Sequence, residues 1–293
     1  MRVIIIQAEW KEFIDELLAR RTQDVIYVIG RSDSGKTTFC KYLIESFLKD
    51  FSVAYIDCDP GQSTIGPPTT TGMAFYRNRY NIEDKEFLMF AGSTSPARHL
   101  LQNLTGIRVL LDKAREMNPG KVVIDSSGFV IGDAALEFQY NVIQTVRPDH
   151  LVIFQDEDEL EGIARNFYKR AFPIIKRFKV PPSVKPRSMV ERQLYREEKF
   201  RNYFKVVKEY SINLREIGIH GTVVSMNKAT LRNRLISLND DEGLVLSLGI
   251  VIDYEKDSGI LSFFSPTLEI NRVTSIQTGD IFLDPSGKEI RSA

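Results

Sequence analysis

Tyr27-Val28-Ile29-Gly30-Arg31-Ser32-Asp33-Ser34-Gly35-Lys36-Thr37-Thr38 decides how this chain is read. Val25 to Ile29 is a β-branched apolar run, and Phe39-Cys40-Lys41-Tyr42-Leu43-Ile44 continues at helical spacing, so the stretch reads strand, loop, helix. Gly30 and Gly35 fit G-x-x-x-x-G-K-[ST], in which backbone N–H groups across Gly30, Arg31, Ser32, Asp33, Ser34, Gly35, Lys36, Thr37 and Thr38 surround an anion at a helix N-terminus. Lys36 then reaches the β- and γ-phosphates and Thr37 places its hydroxyl on Mg²⁺. The pattern predicts a nucleoside-triphosphate site, with a plain glycine-rich turn as the bland alternative.

Outward from the loop, Glu9 to Arg20 carries Trp10, Phe13, Ile14, Leu17 and Leu18 on one helical face. Val53 to Ile56, Phe87 to Phe90, Val122 to Asp125 and Leu151 to Phe154 read as strands, and Ile107 to Met117 and Ala134 to Val146 as helices. Strands alternating with helices predict an α/β fold, a P-loop NTPase with a parallel sheet flanked by helices. Ligands of such sheets bind beyond the strands' carboxyl ends, so Gly30, Asp59, Gly92 and Asp125 should meet at one edge. Val180 to Pro186 is a stiff Pro-rich linker, and Ser188-Met189-Val190-Glu191 has capping-box spacing. Beyond Ser211, Gly221 to Ser225, Leu244 to Ile252, Gly259 to Phe264 and Gly279 to Leu283 read as strands separated by turns. The expected domains are 1–210, a P-loop domain with an Arg-rich lid at about 183–204, and 211–293, a smaller C-terminal β-rich barrel or sandwich.

The 293 residues are 43% hydrophobic and 27% charged, which excludes a disordered chain. Cys40 and Cys58 lack metal-ligand spacing and suit a reducing, cytoplasmic setting. Gln7, Glu9 and Lys11 break the apolar run Val3 to Ile6, so no leader is expected, and no stretch has the length of a membrane helix. The 39 basic residues balance 39 acidic ones, yet Arg165 to Arg215 holds fifteen Lys or Arg against four Glu and no Asp. Within it, Arg192, Arg196 and Lys199 fall within about 60° on one helical face.

Two acidic strand ends compete to complete the nucleotide site. Val122-Val123-Ile124-Asp125 is an apolar strand ending in a carboxylate that supports Mg²⁺. Asp57-Cys58-Asp59-Pro60-Gly61-Gln62 is richer: Asp59 is placed to take a proton from an attacking hydroxyl, and Gln62 to hold the nucleophile or a metal-bound water. Alternatively Asp57 is a capping or Mg²⁺-shell residue and Asp59-Pro60-Gly61 a turn. The clustered arginines fit a lid over a transferring phosphoryl group or a phosphodiester contact; a solvated helix face is the alternative. Asn227-Lys228-Ala229-Thr230 begins like a guanine reader but ends in Thr, which favours ATP over GTP.

With these residues in view, the chain resembles the polynucleotide 5′-hydroxyl kinases of RNA processing, from about Asp24 to its end. The resemblance rests on Gly30 to Thr38, on Asp57-x-Asp59-x-Gly61-Gln62, and on Gly92-Ser93-Thr94-Ser95-Pro96, which looks like a clasp over the phosphates. It rests also on Arg192-x-x-x-Arg196 leading into Phe200-Arg201-x-Tyr203-Phe204, and on Leu248 to Val251, Ser265-Pro266 and Gly279-Asp280-Ile281. It implies transfer of the ATP γ-phosphate to a 5′-hydroxyl of RNA or DNA, and RNA-processing partner proteins. It implies catalytic roles for Lys36, Asp59, Gln62, Arg192 and Arg196, with Mg²⁺ near Thr37, Asp57, Asp59 and Asp125. The resemblance departs at one point: eukaryotic members carry an N-terminal β-domain before the loop, where this sequence has the short stretch up to Gln23. A non-catalytic ATP-holding scaffold and a P-loop ATPase or GTPase of the partitioning or maturation type are the rival expectations.

Overall fold

The computed structural model describes residues 7–78, 81–221 and 227–290; Met1 to Ile6 and Thr222 to Ser225, both read above, lie outside the described residues. The chain divides into two units: Met1–Asp59 with Thr71–Glu86 and Asn103–Arg187, and Pro60–Thr70 with Phe87–Gln102 and Ser188–Ala293.

In chain order the first elements are α1 (Ala8–Ala19), β1 (Asp24–Gly30), α2 (Lys36–Phe47), β2 (Val53–Asp57), β3 (Thr70–Asn78), β4 (Asn81–Phe90) and α3 (Leu100–Glu116). They continue with β5 (Lys121–Asp125), α4 (Asp133–Val146), β6 (His150–Phe154), α5 (Glu161–Ala164) and β7 (Ile174–Phe178). The sheet order is β4-β3-β2-β5-β1-β6-β7. β2, β5, β1, β6 and β7 are parallel, while β3 runs antiparallel to β2. β1 lies between β5 and β6 and is buried along its whole length, which its apolar run requires of a central strand. Parallel register brings the ends of β1, β2 and β5 to one edge.

Behind β1, α1 buries Trp10, Phe13, Ile14 and Leu17, worth roughly 2 kcal/mol per side chain. The Trp10 ring centre lies 5.1 Å from that of Phe39 and 5.7 Å from that of Phe154, edge on. Phe39 belongs to α2 and Phe154 flanks Gly30, so this aromatic cluster backs the phosphate loop. At the opposite end of the strands, the fully buried Lys121 donates to the carbonyls of Leu17, Arg20 and Thr22 and pairs with Asp24. A buried ammonium is tolerable only with such complete pairing.

The second unit contains α6 (Met189–Tyr203), β8 (Lys208–Asn213), β9 (Gly218–Gly221), α7 (Lys228–Leu231), β10 (Arg234–Asn239), β11 (Val245–Glu255), β12 (Ile260–Ser265), β13 (Ser275–Leu283) and β14 (Glu289–Ile290). Its strands form one sheet, β14-β13-β10-β11-β12-β8, with β9 parallel to β13, where a barrel or sandwich was expected. Alternation explains how one sheet buries two faces. Leu235, Leu248 and Ile250 join Phe90, Phe200 and Phe204 on one face, and Ile236, Val251 and Phe263 join Leu231 on the other. Asn227 Oδ1 accepts the Thr230 N–H at 2.9 Å, so the guanine-like quartet is a helix cap.

No described helix is long and apolar enough to cross a membrane. Cys40 and Cys58 are free and buried.

Candidate active site

At the tip of β1 the chain turns through Gly30 to Gly35 into α2. A Cβ on Gly30 would sit 2.6 Å from Ser34 Oγ and 2.9 Å from Phe154 Cβ, so only glycine lets the loop fold back here. Gly35 caps α2 at φ +93°, a conformation that favours glycine. Asp33, at φ +57°, is the loop's other left-handed residue, and aspartate tolerates it better than most. Lys36 is buried and its Nζ donates to the Arg31 carbonyl at 2.8 Å, spanning the loop. The Ser34 hydroxyl is buried with no hydrogen-bond partner.

The two acidic strand ends, read as competitors, belong to one cluster. β2 and β5 are adjacent with Asp57 opposite Asp125, and the Cys58 N–H donates to the Asp125 carbonyl at 2.9 Å. Thr37 Oγ1 donates to Asp125 Oδ2 at 2.6 Å, which ties the loop helix to β5. Asp125 Oδ1 is buried without a hydrogen-bond partner. Burial raises the Asp125 carboxyl to about 7, opposed by Lys36 and the Thr37 hydroxyl and reinforced by Asp57 and Asp59. Asp57 Oδ1 accepts the Asp59 N–H at 3.0 Å, the local capping role weighed for it, and this shapes the turn that carries the half-buried Asp59.

Residues outside the motif also touch the loop. A Cβ on Gly128 would fall 2.0 Å from Ser32 Oγ and 2.7 Å from the Ser32 nitrogen, so the Ser126-Ser127-Gly128 turn presses on the loop. A Cβ on Gly35 would have Pro181 Cδ at 3.4 Å and Val184 Cγ2 at 3.6 Å, which places the Pro-rich linker beside the start of α2. Arg187 donates from its backbone N–H and from Nε to the two carboxylate oxygens of Asp33, each at 3.0 Å. A turn glycine was the only sequence signal for Gly128, and Arg187 had only its place in the basic stretch and expected lid.

Gln62, Arg192 and Arg196 belong to the second unit. The Ser188–Glu191 capping box opens α6 as the spacing predicts. Arg196 Nε donates to Glu289 Oε1 at 2.9 Å, and Lys199 Nζ to the carbonyls of Ser63 and Gly66 at 2.7 and 3.0 Å. Tyr195 adds its hydroxyl to the Ser63 carbonyl at 3.0 Å. α6 thereby holds the segment that follows Gln62. The Gly92–Pro96 segment is fixed by Asp280, whose N–H donates to the Gly92 carbonyl at 2.8 Å and whose carboxylate meets His99 Nε2 at 2.9 Å.

A glycine-capped anion loop backed by a parallel sheet, with an acidic strand end bonded to its threonine, defines a P-loop nucleotide-binding protein. Residues 30–206, more than half of the chain, match the family described as mRNA cleavage and polyadenylation factor CLP1 P-loop, and the chain belongs to that family. A protein of Methanocaldococcus jannaschii named polyribonucleotide 5′-hydroxyl-kinase is 27% identical, over 90% of this chain and 88% of its own. A Pyrococcus furiosus protein of the same name is 25% identical, over 94% and 92%. In the solved wild-type Clp1p–Pcf11p complex one chain superposes with a TM-score of 0.73 at 12% identity, covering 94% of this chain and 79% of that one, a likeness of fold.

Proposed function

We propose that this chain transfers the γ-phosphoryl group of ATP to the 5′-hydroxyl of a polynucleotide, RNA or DNA. The observation that carries this reading is the gathering of Asp57, Asp59 and Asp125 around Lys36 and Thr37. Relatives matched over 90% or more of the chain are named for that reaction.

In this reading the N–H groups from Gly30 to Thr38 enclose the phosphates and Lys36 gives up the Arg31 carbonyl for the β- and γ-oxygens. Asp59 accepts the proton of the attacking hydroxyl as the new oxygen–phosphorus bond forms, and ADP leaves with the electrons of the bond that breaks. Gln62 orients the acceptor. Arg192 and Arg196 are assigned to the charge spread over the transferring group, which in Arg196 means exchanging Glu289 for phosphate.

The residues fit a magnesium ion. Asp125 Oδ1 is buried and without a hydrogen-bond partner, the Thr37 hydroxyl sits on the other oxygen, and Asp57 and Asp59 add negative charge that a cation relieves. No group of three His, Cys, Asp or Glu side chains able to hold a metal occurs among the described residues. Magnesium in such sites needs only one or two protein oxygens, with substrate phosphates and water completing its shell. When bound, it neutralises charge on the β- and γ-oxygens.

The same reading keeps 1–210 as the kinase domain, with α6 inside the lid at 183–204, and 211–293 as the β-rich domain. A cytoplasmic setting accords with two free, buried cysteines. Docking to an RNA-processing partner draws support from the fold relative having been solved in complex with Pcf11p.

The test is γ-labelled ATP with 5′-hydroxyl RNA and DNA oligonucleotides. Wild-type protein should label the 5′ end, and Asp59→Asn should lose at least ~100-fold, the size of effect expected for removing a general base. Phosphate released to water with no oligonucleotide labelled would instead favour the ATPase, and ATP held without turnover the scaffold.

A further inference from the structure

The phosphate loop contains one carboxylate, Asp33, at a left-handed backbone position. Its side chain is only 6% exposed and both its oxygens accept from Arg187, one from the backbone N–H and one from Nε. An anion inside a cradle built for a polyphosphate opposes the ligand unless its charge is cancelled where it stands. Arg187 arrives there because the preceding linker is itself held. Lys179 Nζ donates to the Asp156 carbonyl at 2.9 Å, Pro181 and Val184 pack beside Gly35, and the Val184 N–H closes a turn on the Pro181 carbonyl at 3.0 Å.

We propose that Arg187 is a positioning residue of the triphosphate cradle, neutralising Asp33 and holding its carboxylate so that the loop presents donors to the phosphates. This rests on the reading that the loop binds ATP, and adds to it a residue far outside the motif. Removing the guanidinium takes away the positive charge that faces Asp33 Oδ1, and the penalty should grow with the number of phosphates on the ligand. Removing both charges should relieve it. A purely structural tie would behave in the opposite way, with the double variant as poor as either single one.

The experiment measures equilibrium binding of ATP and of AMP, with Mg²⁺, to the full chain at low and high salt. Arg187→Ala should weaken ATP binding about tenfold near 0.05 M salt, and less at ~0.5 M, where screening is strong. AMP binding should change less than ATP binding. Adding Asp33→Asn to Arg187→Ala should recover most of the loss, since asparagine accepts the same left-handed backbone. Arg187→Lys, which keeps the charge, should fall between wild type and Arg187→Ala. A double variant that binds ATP no better than Arg187→Ala, or an equal loss for AMP and ATP, overturns the proposal. A wild-type chain that binds ATP yet labels no oligonucleotide overturns the kinase reading, while these binding contrasts still decide the role of Arg187.

Discussion

At the scale of single residues, the site is set by close approaches that admit no extra atom. Gly128 is the sharpest case, because the nitrogen of Ser32, unlike its hydroxyl, cannot rotate out of the way of a Cβ 2.7 Å distant. Gly128→Ala should therefore displace the phosphate loop at a cost of about 1–3 kcal/mol. The expected outcome is ATP binding weakened tenfold or more in a nucleotide titration, with the far-UV spectrum of the folded chain unchanged; wild-type affinity would show that the turn is free to yield. Lys36 and Thr37 were legible in sequence because the loop's chemistry demands adjacent residues. Gly128 was not, because its partner Ser32 is supplied by the loop after the neighbouring strand, and a glycine after a strand reads only as a turn.

At the scale of elements, α6 is held to its own unit by Phe200 and Phe204 in the core and by Tyr203, whose hydroxyl accepts the Leu248 N–H at 2.9 Å. Its capping box and basic face were readable, while the Arg196–Glu289 pair was not. If Arg196 acts mainly on the transition state, Arg196→Ala should lower kcat at least ~10-fold and shift the Kd for ATP less than about threefold. Equal losses in both would assign it to ground-state binding. β7 escaped sequence reading because Ile174-Ile175-Lys176-Arg177-Phe178 mixes charge into an edge strand, the usual protection of such edges. α3 begins earlier than its apolar spacing suggests because Asn103, a polar residue, is buried in its first turns.

α5 and β7 are joined by Glu161, which Arg177 contacts through Nε and Nη2 at 2.7 and 3.0 Å, with Tyr168 and Gln155 also donating. Foremost the Arg177 hydrogen bond, and then those of Tyr168 and Gln155, hold the Glu161 carboxyl down at about 2. A depressed folded pKa means that this stabilisation is complete above about 4.5 and is lost as pH falls through about 2. With Arg177 39% exposed, solvent leaves about 1 kcal/mol. Denaturant melts from pH 5 to 2 should show wild type losing its advantage over Arg177→Met by roughly that amount; a constant gap would place the pair's contribution in packing.

At the scale of the whole molecule, the kinase reading draws on the acidic cluster of the first unit, which the labelling assay with Asp59→Asn addresses. The phosphate loop, its flanking strand and helix, and the β-rich character of the tail were all determined by the sequence itself. These features follow from short-range rules: loop chemistry at fixed spacing, apolar periods of 3.6 and 2, and turn residues. Tertiary structure alone decided that Asp57, Asp59 and Asp125 form one cluster, that β3 turns antiparallel, and that residues 60–70 and 87–102 group with 188–293. It alone brought Arg187 to Asp33 and Gly128 to Ser32. Such pairings join residues with no periodic relation along the chain, and become definite only when sheet register and core packing have fixed which distant segments touch.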